Sequence, residues 1–235
     1  MTERTERSEG PMRYVLIPGA GGAAWYWHRF EPALRRRGHD VIAVDLPAAD
    51  PKAGLREYAD AVVRAAAGRG NVVLVAQSMA GFTAPLVVDR LPVTELILVN
   101  AMIPAPDETG AEWWANTGQA AAQRENDERE GRSPDAGFDP LVYFFHDVPP
   151  DVTAEGMAGA PEQADTPFGE VWPLPSWPNV PTRVISARDD RLFPVEFQAR
   201  VARERLGITP EVVPGGHLVA LSRPEELAEV VTPES

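Results

Sequence analysis

The chain has 235 residues, no cysteine, and a formal net charge of −13, from 22 Lys and Arg against 35 Asp and Glu. This length suits one large α/β unit or two modest domains, and 44% hydrophobic residues are enough to bury a sizeable core. The acidic balance repels phosphate backbones and anionic lipid, so neither a nucleic acid nor a membrane is predicted as a partner. The lack of cysteine excludes disulfides, thiolate zinc sites and thiol nucleophiles.

The N-terminal residues are charged and polar. Residues 1–12, MTERTERSEGPM, lack the apolar stretch of a secretory signal, so we expect a flexible tail and a cytoplasmic location. Residues 70–88 carry no charge and approach the length of a membrane span, but several polar residues interrupt them. A buried strand that runs into a buried helix is the better interpretation.

Six short apolar runs predict strands at residues 14–17, 41–44, 72–75, 96–99, 183–185 and 211–213. The runs are continuously apolar, which is typical of strands that are covered on both faces. Helix-length stretches separate the first four runs, at residues 25–37, 55–67 and 79–90. This alternation predicts an α/β fold, with a mostly parallel twisted sheet and helices on both faces, formed by residues 13–104 and 180–235.

The alternation stops after residue 100, and no clear strand follows until residue 183. We predict that residues 105–179, which are rich in aromatic residues, form an inserted helical lid over the carboxyl edge of the sheet, where open α/β sheets bind ligands. The alternative is a second structural lobe that only extends the core. Within the insert, Trp113, Phe144 and His146 are candidates for contact with a substrate, although the pair Trp113 and Trp114 is most simply explained as part of the lid core.

A candidate nucleophile follows the third strand. In residues 72–83, VVLVAQSMAGFT, a sharp strand-to-helix turn would hold the side chain of Ser78 clear of the fold in a strained backbone conformation. Only small neighbours fit such a turn. The usual pattern is Gly-x-Ser-x-Gly, whereas Ala76 and Ala80 occupy the glycine positions here and Gly81 follows. A serine that only caps a helix is the alternative.

Two further candidates follow later strands. Asp189 and Asp190 come after the fifth predicted strand, and His217 follows the sixth strand on a loop that contains two glycines. The order Ser78, Asp190, His217 is the chain order expected of a nucleophile, an orienting acid and a general base on an α/β-hydrolase sheet. The alternative is structural: the imidazole caps a helix, and the carboxylate pairs with an arginine.

From residue 13 to residue 231 the chain resembles α/β-hydrolase-fold proteins, and within them the small plant-type esterase and hydroxynitrile-lyase branch. Residues 15–25, VLIPGAGGAAW, are similar to the segment that follows the first parallel strand in that family. Asp190 fits the family's Asp-x-x-x-Pro spacing to Pro194, and so it is preferred to Asp189. Pro18 departs from the family, which usually has histidine at that position.

The resemblance implies a Ser78–His217–Asp190 triad. It also implies an oxyanion hole formed by the backbone amides of Ala20 and Met79, with Gly19 beside the substrate. We therefore predict a serine hydrolase, free of metal and cofactor, that cleaves a small and largely apolar carboxylic ester through an acyl-enzyme. The oligomeric state is left open.

Three alternatives remain. A hydroxynitrile lyase needs a cation beside the histidine, whereas Leu218 follows His217 and the only lysine, Lys52, is remote in the sequence. An inactive ligand-binding protein on the same fold is the second. The third is NAD binding, because residues 19–24 satisfy the Gly-x-Gly-x-x-Gly/Ala fingerprint and Asp45 ends the next strand. Three bulky rings at residues 25–27 argue against it.

Overall fold

A computed structural model describes residues 12–68, 70–159 and 162–233. The tail predicted at residues 1–12 therefore lies outside the described residues, except for Met12. The six strands of the sheet are Arg13–Ile17 (β1), Asp40–Ala43 (β2), Val72–Gln77 (β3), Val93–Val99 (β4), Thr182–Ala187 (β5) and Glu211–Val213 (β6). They pair in the order β2-β1-β3-β4-β5-β6, and every pair is parallel. The predicted parallel α/β sheet is confirmed.

Both faces of the sheet are covered, which explains the continuously apolar strands. Alternate residues of a strand point to opposite faces, so Val15 and Leu74 enter one core while Leu16 and Val73 enter the other. The first core includes buried residues of helices α2 (Leu55–Ala66) and α9 (Val195–Leu206). The second includes those of α1 (Phe30–Arg36), α10 (Val219–Ser222) and α11 (Pro224–Val231). The sheet is thus the middle of three layers.

Two of the three predicted crossover helices are wrong in detail. In place of one helix at residues 25–37, a 3₁₀ turn at Ala24–Trp27 precedes α1. Trp27 at the end of the turn and Phe30 at the start of α1 are both fully buried in the second core. In place of one helix at residues 79–90, α3 (Ala80–Thr83) passes into a 3₁₀ turn at Ala84–Val87. Pro85 lacks the amide hydrogen that a continuous helix needs. The third prediction, residues 55–67, matches α2 within one residue.

The uncharged residues 70–88 therefore contain the predicted buried strand, β3, followed by two short helical turns in place of one buried helix. Within the described ranges, no helix combines the length and the apolar character needed to cross a bilayer.

The inserted segment, residues 105–179, lies between β4 and β5. Its helices are Gly110–Thr117 (α4), Gln119–Arg129 (α5), Pro140–Tyr143 (α6), Pro150–Ala158 (α7) and Thr166–Gly169 (α8). The two ends of the segment meet, because Thr109 and Val171 form an isolated antiparallel bridge and the Trp172 amide donates to the Glu108 carbonyl at 2.9 Å. The segment thus leaves the sheet and returns at one place.

The second half of the inserted segment is tied to the core by hydrogen bonds. Oε1 of Gln163 accepts from the Gly21 amide at 2.8 Å, and Oε2 of Glu170 accepts from the Leu55 amide at 2.7 Å. Nε1 of the fully buried Trp172 donates to the Phe82 carbonyl at 3.2 Å. These bonds reach three separate parts of the sheet layer and its helices.

Candidate active site

The strand order brings four loops to the carboxyl edge of the sheet. The chain runs from β1 outward to β2, returns past β1 to β3, and then proceeds outward through β4, β5 and β6. The loops that follow β1 and β3 are therefore neighbours at the point where the order reverses, which is where ligands bind in sheets of this kind. Gly19 and Ser78 lie on these two loops. Asp190 follows β5, and His217 follows β6.

Ser78 occupies a strained turn, as predicted. Its φ is 52°, in the left-handed region that residues other than glycine rarely adopt. Its amide donates to the Val99 carbonyl at 3.3 Å, and its carbonyl accepts from the amides of Gly81 at 3.1 Å and Met102 at 2.9 Å. The side chain is partly exposed, between the buried residues Gln77 and Met79. The turn forms although alanine replaces the glycine at positions 76 and 80.

Gly19 packs directly against this turn. A Cβ at position 19 would lie 2.5 Å from Oε1 of Gln77 and 2.8 Å from Cβ of Ser78, so no larger residue fits without movement. Ala20, which follows, is exposed. Among the described residues, no hydrogen-bond acceptor pairs with the amide of Ala20 or with that of Met79. Both donors are available to a ligand oxygen.

The ring of His217 contacts both of the other predicted triad members. Its Nδ1 atom lies 2.8 Å from Oδ2 of Asp190, and its Nε2 atom lies 3.2 Å from Oγ of Ser78. His217 and Asp190 are each only 2% exposed. When the Nδ1 proton is donated to Asp190, the lone pair on Nε2 faces the serine hydroxyl. The geometry thus favours Asp190 over Asp189 as the partner of the imidazole.

The Asp190 carboxylate is held by its surroundings. Oδ1 accepts from the amides of Leu192 at 2.9 Å and Phe193 at 2.8 Å, and Oδ2 also accepts from Nε2 of Gln198 at 3.3 Å. The amide of Gln198 is in turn fixed by donation to the Phe193 carbonyl at 2.7 Å. Four donors therefore surround a group that only accepts when it is ionised. The sequence interpretation missed Gln198, because a glutamine on a helix carries no distinguishing signal.

Three acidic or amide side chains hold the loop that carries His217. Oδ2 of Asp189 accepts from the Gly215 amide at 3.0 Å, and Oδ2 of Asp147 accepts from the Gly216 amide at 2.8 Å. Nδ2 of Asn100 donates to the carbonyls of Gly216 at 3.2 Å and His217 at 3.1 Å. Sequence reasoning did not single out Asn100 or Asp147. A polar residue at the end of an apolar strand run, as in LILVN, was the available signal for Asn100.

Aromatic rings flank the imidazole on two sides. Phe144 of the inserted segment stacks on His217, with ring centroids 5.3 Å apart and planes 28° apart. Phe193 meets the same ring edge-on at 5.0 Å. Trp113 is fully buried, contacts Phe193 and Phe197, and donates from Nε1 to the Ile103 carbonyl at 3.0 Å. Phe144 is thus next to the triad, whereas one ring separates Trp113 from His217.

His146 lies behind the loop that carries His217. A Cβ on Gly216 would lie 2.5 Å from Nε2 of His146, and this nitrogen has no hydrogen-bond partner among the described residues. Burial lowers the pKa of His146 below its ordinary value. The negative charge of Asp147 opposes this shift, and the positive charge of Arg191 adds to it. His146 is therefore neutral near pH 7 and lies beside the triad without joining it.

The residues behind the NAD alternative have structural roles. Oδ1 of Asp45 accepts from the Ala24 amide at 2.8 Å, so this carboxylate closes the glycine-rich loop. Tyr26 and Trp27, which follow that loop, are buried in the core. In the part of the chain that the structure describes, no three His, Asp or Glu side chains are grouped so that they could hold a metal ion.

The chain is similar in sequence to known esterases of plants. Probable esterase PIR7A of Oryza sativa subsp. indica is 36% identical over 110 residues, which is 41% of this chain and 41% of that protein. Polyneuridine aldehyde esterase of Rauvolfia serpentina is 25% identical over 245 residues, and the match covers 92% of each chain. The match to the rice protein thus spans about two fifths of its length.

Solved structures share the fold. A pyrethroid hydrolase from Sphingobium faniae superposes with a TM-score of 0.72 at 23% identity, covering 94% of this chain and 95% of that one. The model of the alpha/beta hydrolase family matches residues 14–230. The predicted resemblance is confirmed, and the chain belongs to the alpha/beta hydrolase family.

Proposed function

We propose that the chain is a serine esterase that cleaves small, largely apolar carboxylic esters through an acyl-enzyme. The observation that carries the proposal is the placement of His217, whose Nε2 lies 3.2 Å from Oγ of Ser78 while its Nδ1 lies 2.8 Å from Asp190. The esterase names of the rice and Rauvolfia relatives support the same reaction class.

In the proposed first step, Oγ of Ser78 attacks the ester carbonyl carbon while Nε2 of His217 takes the hydroxyl proton. Asp190 holds the Nδ1 tautomer and stabilises the imidazolium that forms. The tetrahedral intermediate then collapses, the bond to the alkoxide breaks, and Nε2 returns the proton to the departing alcohol. A water molecule repeats the sequence on the acyl-enzyme and releases the acid. General-base assistance of this kind contributes about 100- to 10,000-fold.

The amides of Ala20 and Met79 are the proposed oxyanion donors. Gly19 lies against Ser78 and so brings the Ala20 amide to the same side of the turn, and Met79 directly follows the nucleophile. Both amides lack an internal acceptor among the described residues, as a preorganised oxyanion site requires. This reaction needs no metal or cofactor, because side chains and backbone amides supply the nucleophile, the base and the charge stabilisation.

The surroundings of His217 support an apolar acyl group. Phe144 and Phe193 place two aromatic rings against the imidazole, and no lysine lies beside it, because the only lysine, Lys52, is exposed in a turn. We propose that residues 105–179 act as a lid and that Phe144 closes over the substrate. Substrate contact by Gly19, Trp113 and His146 stays a prediction, as do the cytoplasmic location and the absence of nucleic-acid and membrane partners.

The proposal is tested with a fluorophosphonate probe, which labels only an activated serine. Wild type should label, and Ser78→Ala and His217→Ala should not. Ser176→Ala removes the hydroxyl of an exposed serine and is the matched control, which should label as wild type does. Labelling of Ser78→Ala at the wild-type rate would show that another residue reacts.

An ester panel with acyl chains of varied length follows, together with an assay for cyanide release from cyanohydrins. Hydrolysis without cyanide release is expected, because the residue after His217 is the partly buried Leu218 and supplies no cation for the leaving group. Cyanide release would favour the hydroxynitrile-lyase reaction. Probe binding without turnover of any ester would favour an inactive ligand-binding protein.

A further inference from the structure

Asn100 is a fully buried polar residue at the carboxyl end of β4, and the proposed reaction does not use it. Its amide donates to the Ile185 carbonyl at 3.0 Å, which keeps the residue registered against β5. Its φ is 45°, so the extended strand conformation ends at this residue. Asparagine tolerates this left-handed conformation better than most residues with a Cβ.

The Asn100 side chain links the end of β5 to the loop that follows β6. Oδ1 accepts from the Ala187 amide at 2.7 Å, at the end of β5 and three residues before Asp190. Nδ2 donates to the carbonyls of Gly216 at 3.2 Å and of His217 itself at 3.1 Å. The side-chain amide of Asn100 thus bonds both to the backbone that leads to Asp190 and to the backbone that carries His217.

Other bonds also cross this region. Nε2 of Gln77 reaches the His217 carbonyl only at 3.4 Å. Asp189 joins the loop of Asp190 to the loop of His217, because its amide donates to the Gly215 carbonyl at 2.9 Å and its Oδ2 accepts from the Gly215 amide at 3.0 Å. Asp147 accepts from the Gly216 amide. These bonds reach Gly215 and Gly216, whereas those of Asn100 include the carbonyl of His217 itself. Of the side chains that bond to the His217 carbonyl among the described residues, Asn100 is the nearer, and it alone also bonds to the end of β5.

We propose that Asn100 is a positioning residue that fixes the separation of Asp190 and His217, so that the imidazole meets the carboxylate and the serine at once. This inference rests on the proposed esterase function. Its physical basis is that catalytic hydrogen bonds tolerate little displacement, and a shift of about 1 Å costs on the order of 100-fold in rate. Asn100 touches no reacting atom and acts only through the two loops.

Asn100→Gly removes all three side-chain bonds and leaves the backbone unstrained, because glycine adopts a positive φ freely. We expect the rate constant for fluorophosphonate labelling and kcat to fall by about 10- to 100-fold, with KM changed by less than about threefold. The matched control is Asn71→Gly, which replaces an exposed asparagine just before β3, at the amino edge of the sheet and so at the opposite edge from the triad. This control should label at the wild-type rate.

A spectroscopic readout separates positioning from general loosening. The Nδ1 proton of His217, shared with Asp190, should give a downfield proton resonance in wild type and in Asn71→Gly. In Asn100→Gly we expect this resonance to shift or disappear while the circular dichroism spectrum stays native. Labelling of Asn100→Gly within about threefold of wild type, with the resonance unmoved, would overturn the inference.

If Asn100→Gly does not fold, Asn100→Asp decides the question. Aspartate keeps the shape of the side chain and the oxygen that accepts from the Ala187 amide. It places a second oxygen, in place of the NH2 donor, against the carbonyl oxygens of Gly216 and His217. Labelling should again fall by about tenfold or more in the folded protein, and labelling at the wild-type rate would overturn the inference. Failure of the wild type to label at Ser78 would instead refute the proposed function, so the two failures are distinguishable.

Discussion

The α-carbon of Gly81 faces the carbonyl oxygen of Met102, and a Cβ at position 81 would lie 1.7 Å from that oxygen. The Met102 amide donates to the Ser78 carbonyl at 2.9 Å, as the Gly81 amide does at 3.1 Å. The turn that presents Ser78 is therefore packed against the loop after β4. This contact explains why glycine occupies position 81 while alanine fits at positions 76 and 80.

Gly81→Ala should lower the free energy of unfolding by about 1–3 kcal/mol or more, because the opposing atom is backbone and cannot rotate away. Fluorophosphonate labelling should fall as well, since relief of the clash moves the turn. Chemical denaturation measures the first effect. Gly137→Ala is the control: a Cβ there meets no atom within 4 Å, and φ is not positive. Equal stability of the two variants would contradict the packing argument.

Asp190→Asn should lower kcat by about 10,000-fold, because an amide can donate to Nδ1 and so place the imidazole proton on Nε2, facing Ser78. Steady-state hydrolysis of a chromogenic ester measures this loss. Asp189→Asn is the control, since its remaining carbonyl oxygen still accepts from the Gly215 amide, and we expect a change of less than about threefold. A large loss from Asp189→Asn alone would reverse the assignment of the acid.

Phe144→Ala should lower kcat/KM by about tenfold. An aromatic stacking contact contributes about 1.4 kcal/mol, and a loss of this free energy corresponds to a tenfold change in rate. The ring covers one face of His217, so its loss admits water and loosens the imidazole. Leu141→Ala, at a side chain that is 50% exposed in the same segment, should leave the rate unchanged. An unchanged rate for both variants would show that the Phe144 ring plays no part in the reaction.

Glu108 joins the inserted segment to α9 through a buried ion pair with Arg205. Burial raises the pKa of Glu108, but hydrogen bonds from Arg205, from Asn116 and from the Ala105 amide outweigh it, so the pKa lies below its ordinary value. The folded state therefore binds this proton less readily than the unfolded state. The stabilisation is complete at neutral pH and is lost as the pH falls through the lowered pKa.

Glu108→Gln should accordingly cost about 2 kcal/mol of unfolding free energy at pH 7. The difference from wild type should shrink as the pH is lowered toward about 3, because wild type then loses the same charge. Urea denaturation across this range measures both. The exposed Glu162→Gln should match wild type at every pH. A difference that stays constant with pH would show that Glu108 acts through packing and not through its charge.

Much of the fold was predictable because the strands are apolar on both faces, and such runs have few other interpretations. The strained conformation of Ser78 was also predictable from its small neighbours. The helix predicted at residues 79–90 was too long: α3 ends at Thr83, and Pro85 was the available signal for this break. Asn100 was missed because its partners are distant in sequence, although its place at the end of an apolar strand was an available signal. Gln198 was missed because a single amide side chain on a helix carries no spacing to interpret.

The bonds from Gln163, Glu170 and Trp172 have a consequence for exchanging parts between relatives. A chimera that exchanges the whole insert would lose Gln163 and Glu170, which accept from the Gly21 and Leu55 amides, and Trp172, which donates to the Phe82 carbonyl. These backbone groups of the core would then be left without partners. If the exchanged segment ends before Gln163, then Gln163, Glu170 and Trp172 stay in the chain whose core they bind. Recombination within the first half of the insert is thus the safer way to transplant a new specificity.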